Sequence, residues 1–259
     1  YHGEFGEAQR TFLKNDLALV PKDKLVVLSM HIPIQTVNDQ EAVYDILDDH
    51  PNHFSVSAHW HRQGHFFLGK EQGWKGVEEH HHLVHATVCG SWWSGTKDEN
   101  GIPHTTMADG APNGYSIITF DNNEYSIRFK AARRPANHQM NIYAPEMIKS
   151  AEAAGTQVVV NVFAGSERST VEMRVGDSGE WTKMVLTPMK DPYFVWLKEL
   201  EPLMPKEAGR KLPDAQESTH IWTGNLPGIS ESGVHLIRVR TTDMFGQTYH
   251  EKRSIRVEN

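Results

Sequence analysis

Apolar residues in the first sixty positions form two patterns, which alternate along the chain. Where they recur every three or four residues they predict an amphipathic helix, and where they form a short continuous run they predict a buried strand. The pattern predicts a helix, a strand, a second helix and a second strand at residues 7–20, 24–30, 39–49 and 54–57. Pro21 ends the first helix, and Asp39 is the predicted N-cap of the second. This alternation is typical of an α/β layer.

Beyond His61 the pattern becomes strand-like. Extended runs are predicted at 64–68, 82–89, 115–120 and 125–130, with a hairpin turn at Asp121-Asn122-Asn123. After Pro135 only strands are predicted, at 157–163, 170–175, 181–186, 219–222, 234–241 and 248–257, with a long loop at 201–214. Short strands punctuated by Gly, Pro, Asp and Asn are typical of an immunoglobulin-like β-sandwich. We therefore predict an α/β domain at residues 1–135 and an all-β sandwich domain at 136–259.

Charge and cysteine content narrow the classes of partner. The 259 residues carry 26 Lys and Arg against 33 Asp and Glu, a net charge of −7, without a basic run. This balance argues against a sequence-independent grip on nucleic acid and favours a small partner or a localised phosphate. The single cysteine, Cys89, excludes an internal disulfide or a cysteine-based zinc site, and we expect it to be inert on an apolar strand. No apolar stretch approaches the roughly 20 residues of a transmembrane helix, so no transmembrane segment is predicted.

Three histidines stand where predicted strands end. His31 follows the strand at 24–30, and His59 and His61 follow the strand at 54–57. Because open α/β sheets place ligands at the carboxyl ends of their strands, these imidazoles are predicted to converge as part of a metal site. The alternative is that they are ordinary polar loop residues.

Four further residues are predicted to bind substrate: Trp92, Trp93, Tyr115 and His82. The aromatic residues would form a wall that stacks on a sugar or base, and the alternative is that they are core residues. In the run His80-His81-His82 only the first and third side chains share a face of the strand, so only these two can converge at a site rim. Arg133-Arg134 offers either bidentate contacts to a phosphate or a structural ion pair.

Two short motifs resemble those of a known enzyme family. Met30-His31-Ile32-Pro33 and Ser57-Ala58-His59-Trp60-His61 look like the last two metal motifs of the calcineurin-like metallophosphoesterases, with Ala58 in place of the usual Gly. Further landmarks resemble a bacterial subgroup that carries an additional C-terminal domain, at residues 1–3, 7–9, 13–17, 20–24, 90–95 and 109–115. The resemblance therefore extends over the entire chain.

The resemblance implies a fold, a cofactor and an activity. The family's four-layered α/β sandwich holds two metal ions, commonly Mn, Fe or Zn, and hydrolyses phosphomonoesters or phosphodiesters. By the family's pattern His31 and His59 would bind one ion and His61 the other. The implied substrate is a small phosphorylated molecule, and the implied location is that of an exported bacterial protein.

The family's carboxylate motifs have no counterpart before His31. An Asp-x-His, a Gly-Asp-x-x-Asp and a Gly-Asn-His motif are expected there, and we interpret the partial matches at residues 48–50, 52–53 and 176–180 as coincidences because their order is wrong. Two cations held by neutral imidazoles alone would repel each other without compensation, so at most one weakly bound ion is expected. The chain, which begins at Tyr1, is therefore expected to be the C-terminal portion of a longer phosphoesterase, incompetent in catalysis alone.

Two other functions and one assembly state stay open. The chain is alternatively a non-catalytic binding or scaffold module that acts through its β-sandwich, since this fold serves many functions. A mononuclear zinc hydrolase would need only the three histidines and a water. An incomplete α/β sheet exposes an edge, which predicts a homodimer through that edge, a strand swap or a rearrangement that covers it.

Overall fold

The computed structural model describes residues 2–85, 88–97, 99–203 and 211–259. Contacts divide them into two compact units, unit 1 from residues 1–87 and 116–128, and unit 2 from residues 88–115 and 129–259. Strands account for 37% of the described residues and helices for 18%, so β structure dominates among them. The domain boundary after residue 135 stays a prediction. None of the helices in the described ranges is long and apolar enough to cross a lipid bilayer.

Unit 1 begins with the predicted order of helix, strand, helix and strand. Its elements are α1 (Gly6–Leu17), β1 (Val26–Ser29), α2 (Gln40–Leu47), β2 (His53–Ser57), β3 (Gly64–Leu68) and β4 (His80–Val84). The strands form one sheet in the order β1-β2-β4-β3. β1, β2 and β4 are parallel, and β3 is antiparallel to β4. β1 and β3 are thus the edges of this sheet, and the homodimer through an exposed edge stays a prediction.

The helices of unit 1 bury part of the faces that their apolar periodicity predicts, while Phe12 on α1 is 70% exposed. α1 buries Leu13 and Leu17, which share a core cluster with Val43 and Leu47 of α2. Asp39 is the N-cap residue of α2, as predicted, but its side chain makes no capping hydrogen bond to this helix. Its carboxylate instead accepts hydrogen bonds from the backbone amides of Phe5 and Gly6, each at 3.0 Å, and so fixes the start of α1.

Residues 82–89 do not form the single strand that their apolar pattern predicts. β4 spans His80–Val84, and residues 86–87 lie outside the described residues. Cys89 is exposed in a turn, so its placement on an apolar strand was wrong. The turn depends on Gly90, whose φ is +52° and whose Cα approaches Thr105 so closely that a Cβ would lie 1.8 Å from the carbonyl oxygen.

A hairpin follows at the predicted position. Its strands are β5 (Gly114–Asp121) and β6 (Glu124–Ala131), which pair as a two-stranded sheet. Asn122 in the connecting turn has φ 54°, in the left-handed region that Asn tolerates better than most residues. The predicted turn at residues 121–123 is therefore confirmed.

Unit 2 is built mainly from strands. Its elements are β7 (Met140–Tyr143), β8 (Met147–Lys149), β9 (Gln157–Val162), β10 (Thr170–Val175), β11 (Thr182–Lys183), β12 (Val185–Leu186), β13 (Met189–Lys190), α3 (Pro192–Leu200), β14 (Glu217–Ser218), β15 (Ile221–Asn225), β16 (Gly233–Thr242) and β17 (Thr248–Glu258). A five-stranded sheet has the order β11-β10-β16-β17-β8, and a four-stranded sheet has the order β12-β15-β9-β7. Val158 and Val160 of the second sheet share one core cluster with Ile237, Val239 and Ile255 of the first. The immunoglobulin-like classification of this pair of sheets stays a prediction.

Two expectations for unit 2 were wrong. The chain after Pro135 is not exclusively β, because α3 begins at Pro192 with the Asp191 side chain as N-cap. The single strand predicted at 181–186 is two short strands that belong to different sheets, β11 and β12. β7 and β8 have no predicted counterpart. In the predicted loop at 201–214, residues 201–203 form a 3₁₀ turn, and residues 204–210 lie outside the described residues.

Candidate functional site

The carboxyl ends of β1 and β2 bring two of the predicted ligands together. The strands are parallel with Ser29 opposite Val56, and the backbone amide of Ala58 donates to the carbonyl of His31 at 3.1 Å. This pairing places Nδ1 of His59 3.1 Å from Nε2 of His31. The two rings meet edge to face, with centroids 4.9 Å apart. The topology of the sheet therefore produces the contact between these two imidazoles.

The backbone that carries His59 and His61 is strained. Both residues have positive φ, 57° and 51°, which is uncommon for residues other than Gly. A single intervening residue, Trp60, donates its backbone amide to the carbonyl of Ala58 at 2.6 Å. Strain of this kind persists where surrounding contacts hold the chain, and it concentrates at functional sites.

Electrostatics favour the neutral form of His59. Burial lowers the pKa of His59, and the neighbouring His31 and His61 lower it further because each would repel a second positive charge. A neutral imidazole is the form that binds a metal ion. His61 is thus close enough to act on His59, while its own role as a ligand stays a prediction.

The pair fits part of a metal site. Two nitrogen ligands at ~2.0–2.1 Å from one tetrahedral or octahedral ion lie roughly 2.9–3.4 Å apart, a range that includes the separation of 3.1 Å found here. Within the four described ranges, no group of three or more His, Cys, Asp or Glu side chains is placed to hold a metal ion. The described residues therefore supply two suitable donors and not a complete metal centre.

His80 and His82 lie inside the sheet of unit 1 rather than at its rim. The Ser55 hydroxyl lies 2.6 Å from Nε2 of His80 and 2.6 Å from Nδ1 of His82, and the Ser57 hydroxyl lies 2.8 Å from Nε2 of His82. The two side chains therefore converge, as their spacing on the strand predicts. Both residues are fully buried, so His82 offers no surface to a substrate in this structure.

Burial holds both of these imidazoles neutral. It lowers the pKa of His80 to about 3, with smaller contributions from His53 and His82, and it lowers the pKa of His82 to about 3. His81 points to the opposite face of β4, where its Nδ1 lies 2.6 Å from the Tyr125 hydroxyl. The serine partners on β2 are what sequence reasoning missed, since Ser55 and Ser57 carry no chemical signal of their own.

The predicted aromatic wall belongs to unit 2. Trp92 and Trp93 lie in a loop with positive φ at both residues, 56° and 59°, and Tyr115 lies in β5. The three side chains are partly exposed, by 38%, 54% and 47% respectively, so they are not core residues. The amide of Ser91 donates to the carbonyl of Thr105 at 3.1 Å, which holds the loop in place. The substrate-binding role of these aromatic residues stays a prediction.

Unit 2 contains a buried polar network that sequence reasoning did not find. The Asn161 amide donates to the carbonyl of Asp109 at 3.0 Å and to Oδ2 of Asp191 at 2.7 Å, and its oxygen lies 2.8 Å from Nδ1 of His220. Nε2 of His220 lies 3.2 Å from Oδ2 of Asp109. Asp191 also accepts a hydrogen bond from the Tyr143 hydroxyl at 2.8 Å. This network ties the segment that contains Asp109 to the sheets of the same unit.

Comparisons with known proteins identify one family. The sequence model described as the C terminal of calcineurin-like phosphoesterase matches residues 81–249, more than half of the chain. A comparison with curated proteins finds no match.

Solved structures give only distant similarities. CopC from Methylosinus trichosporium OB3b is 11% identical over 56% of this chain and 98% of its own, with a TM-score of 0.25. A superoxide reductase (neelaredoxin) from Ignicoccus hospitalis is 20% identical over 47% of this chain and 81% of its own, with a TM-score of 0.24. Murine CRIg is 11% identical over 46% of this chain and 98% of its own, with a TM-score of 0.21. Scores this low carry no argument about fold or function.

Proposed function

Because the chain belongs to the family of C-terminal regions of calcineurin-like phosphoesterases, we propose that it is the C-terminal portion of a two-metal phosphoesterase. The enzyme hydrolyses phosphomonoesters or phosphodiesters, and His31, His59 and His61 contribute to its metal site. The remaining ligands, including the carboxylates that offset the charge of two cations, come from a part of the enzyme outside these 259 residues.

The observation that carries this proposal is the contact between His31 and His59. Two nitrogens 3.1 Å apart, at the adjoining ends of two parallel strands, have the separation of two ligands on one ion. The lowered pKa of His59 keeps that ring neutral near pH 7, as a ligand requires.

The roles of this chain's residues follow from that geometry. When bound, two divalent ions clamp a phosphoryl group and lower the pKa of a bound water. His31 and His59 would hold one ion, and the turn after Ala58, in which His59 has positive φ, holds the backbone that carries the His59 ring. His61, two residues further in the same turn, would be a ligand of the second ion.

The test compares phosphodiesterase activity of the complete enzyme and its variants. With Mn²⁺ and bis(p-nitrophenyl) phosphate, His59→Ala is expected to lower kcat/KM by about 100-fold or more, because losing a metal ligand costs at least as much as losing the outer-shell partner of one. His250→Ala is the matched control, since His250 is an exposed histidine on β17, and we expect it to leave kcat/KM unchanged. Activity of His59→Ala equal to that of the unaltered enzyme would refute the proposal.

A further inference from the structure

We propose that a cavity in unit 2, separate from the histidine pair, binds a phosphate group. The cavity has a volume of about 270 Å³ and is lined by three arginines, Arg133, Arg134 and Arg253, together with Tyr143 and Tyr193. None of the described residues that line it is acidic. Three guanidinium groups around one small space repel each other unless an anion lies between them.

Arg253 is held in place by the backbone while part of its guanidinium stays available. Nη1 donates to the carbonyl of Ile142 at 3.4 Å, and Nη2 donates to the carbonyl of Ala144 at 2.9 Å. Its Nε is buried and has no hydrogen-bond partner among the described residues. A guanidinium has five N–H donors, so these two bonds leave donors for a ligand, and their geometry is already fixed.

Arg133 and Arg134 reach the cavity from a tight turn that follows β6. Arg133 has φ 59°, and the Lys130 ammonium donates to the carbonyls of Ala131 and Arg134, which stabilises this turn. Arg134 pairs with Glu99 at 2.8 Å, and both side chains are about half exposed to solvent. An ion pair this exposed stabilises little, so its arginine can exchange Glu99 for a dianionic ligand at low cost.

The two tyrosines and the Asp191 carboxylate are compatible with an anion in the cavity. The Tyr143 hydroxyl donates to Asp191, which also accepts from Asn161 and from the backbone amide of Phe194. The Asp191 carboxylate is therefore fully engaged behind the cavity wall. Tyr193 presents a phenol, and burial raises its pKa, so its hydroxyl remains protonated and able to donate.

The shape and charge of the cavity select the class of ligand. Planar guanidinium groups bind phosphate oxygens in pairs, and a dianion offsets more of the three positive charges than a monoanion does. A volume of about 270 Å³ is small beside typical drug-sized pockets, so it suits a free phosphate or the phosphate of a small monoester. The site takes no part in the proposed metal chemistry and goes beyond it.

Thermal unfolding of the 259-residue chain in EDTA tests the inference without any metal. Inorganic phosphate is expected to raise Tm of unit 2 saturably, relative to chloride at equal ionic strength, because a ligand that binds only the native state stabilises it. Arg133→Gln/Arg134→Gln is expected to weaken the apparent affinity at least 10-fold. Arg256→Gln, an exposed arginine on the same strand as Arg253, is the control and is expected to bind as the unaltered chain does.

Two further variants and a second ligand complete this experiment. Arg253→Gln also loses contacts to the backbone, so the double variant decides the question if Arg253→Gln does not fold. Phenyl phosphate binding more tightly than inorganic phosphate identifies a monoester as the ligand, and the reverse order identifies free phosphate. His59→Ala should retain the effect, which separates this inference from the proposed phosphoesterase function. Equal Tm in phosphate and chloride, or full binding by the double variant, would overturn it.

Discussion

Lowering the pH from 6.5 to 4 is expected to reduce the free energy of unfolding of unit 1 by roughly 6 kcal/mol. The reason is the pair His80 and His82, whose imidazoles are fully buried and whose pKa values burial lowers from 6.5 to about 3. The unfolded chain takes up both protons as the pH falls below 6.5, whereas the folded chain resists protonation until about pH 3. His53, whose pKa burial also lowers, acts in the same direction.

The pH window of this effect distinguishes it from the protonation of carboxylates, because it begins near pH 6.5. Above pH 6.5 both states hold neutral imidazoles, so the stability is fully present there and is lost progressively below it. Each histidine contributes about 1.4 kcal/mol per pH unit within this window. A reduction of this size approaches the total stability of an ordinary domain.

Hydrogen exchange of the amides in β2 and β4, measured between pH 7 and 4, reports the stability of this unit alone. His80→Gln/His82→Gln is expected to flatten the pH dependence, because an amide side chain keeps hydrogen-bonding capacity for Ser55 and Ser57 and does not titrate. His250→Gln, which changes an exposed histidine, should leave the slope unchanged. The same steep slope in the double variant would show that other groups cause the acid sensitivity.

Asp191→Ala is expected to destabilise unit 2 by about 3–5 kcal/mol. The carboxylate accepts hydrogen bonds from the Phe194 amide at 2.8 Å, the Tyr143 hydroxyl at 2.8 Å and the Asn161 amide at 2.7 Å. Its removal leaves three donors without their acceptor in a buried setting, and it also removes the N-cap of α3. Asp191→Asn should cost less, about 1–3 kcal/mol, because the amide keeps one acceptor oxygen. Its NH2 group replaces the other acceptor and faces a donor, which accounts for the remaining cost.

Urea unfolding monitored through backbone resonances of β9 and α3 measures this loss. Asp177→Ala is the matched control, since Asp177 is 85% exposed and pairs only at the surface with Arg238. We expect that control to change the free energy of unfolding by less than about 1 kcal/mol. A similar, small change for Asp191→Ala would contradict the account of the buried network.

The sequence predicts an element where the pattern of its residues agrees with the conformation that they adopt. It misses an element where the composition favours a different conformation. β10 occupies the predicted residues 170–175 because apolar and polar side chains alternate there. α3 was missed because Tyr193, Phe194, Val195 and Trp196 have the composition of a strand. Its start is nevertheless encoded locally, by Asp191 as N-cap and Pro192 in the first turn.

Some side-chain contacts can likewise be predicted from the local sequence, and others cannot. The contact of His31 with His59 is predictable because parallel neighbouring strands end at the same edge of a sheet. The contact of His220 with Asp109 joins residues 111 positions apart, and no local pattern marks either as a partner. The hydrogen bonds of the buried His80 and His82 likewise involve two serines of another strand.

Titration of Zn²⁺ into the 259-residue chain, followed through the imidazole nitrogen resonances, tests most directly whether these histidines form part of a metal centre. We expect one weakly bound ion, with the His31 and His59 resonances shifting together and the buried His220 resonances unchanged. His59→Ala should abolish the shift of His31, and His250→Ala should not. Rings of His31 and His59 that stay unperturbed at saturating Zn²⁺, or equal Zn²⁺ affinity in His59→Ala, would contradict this expectation.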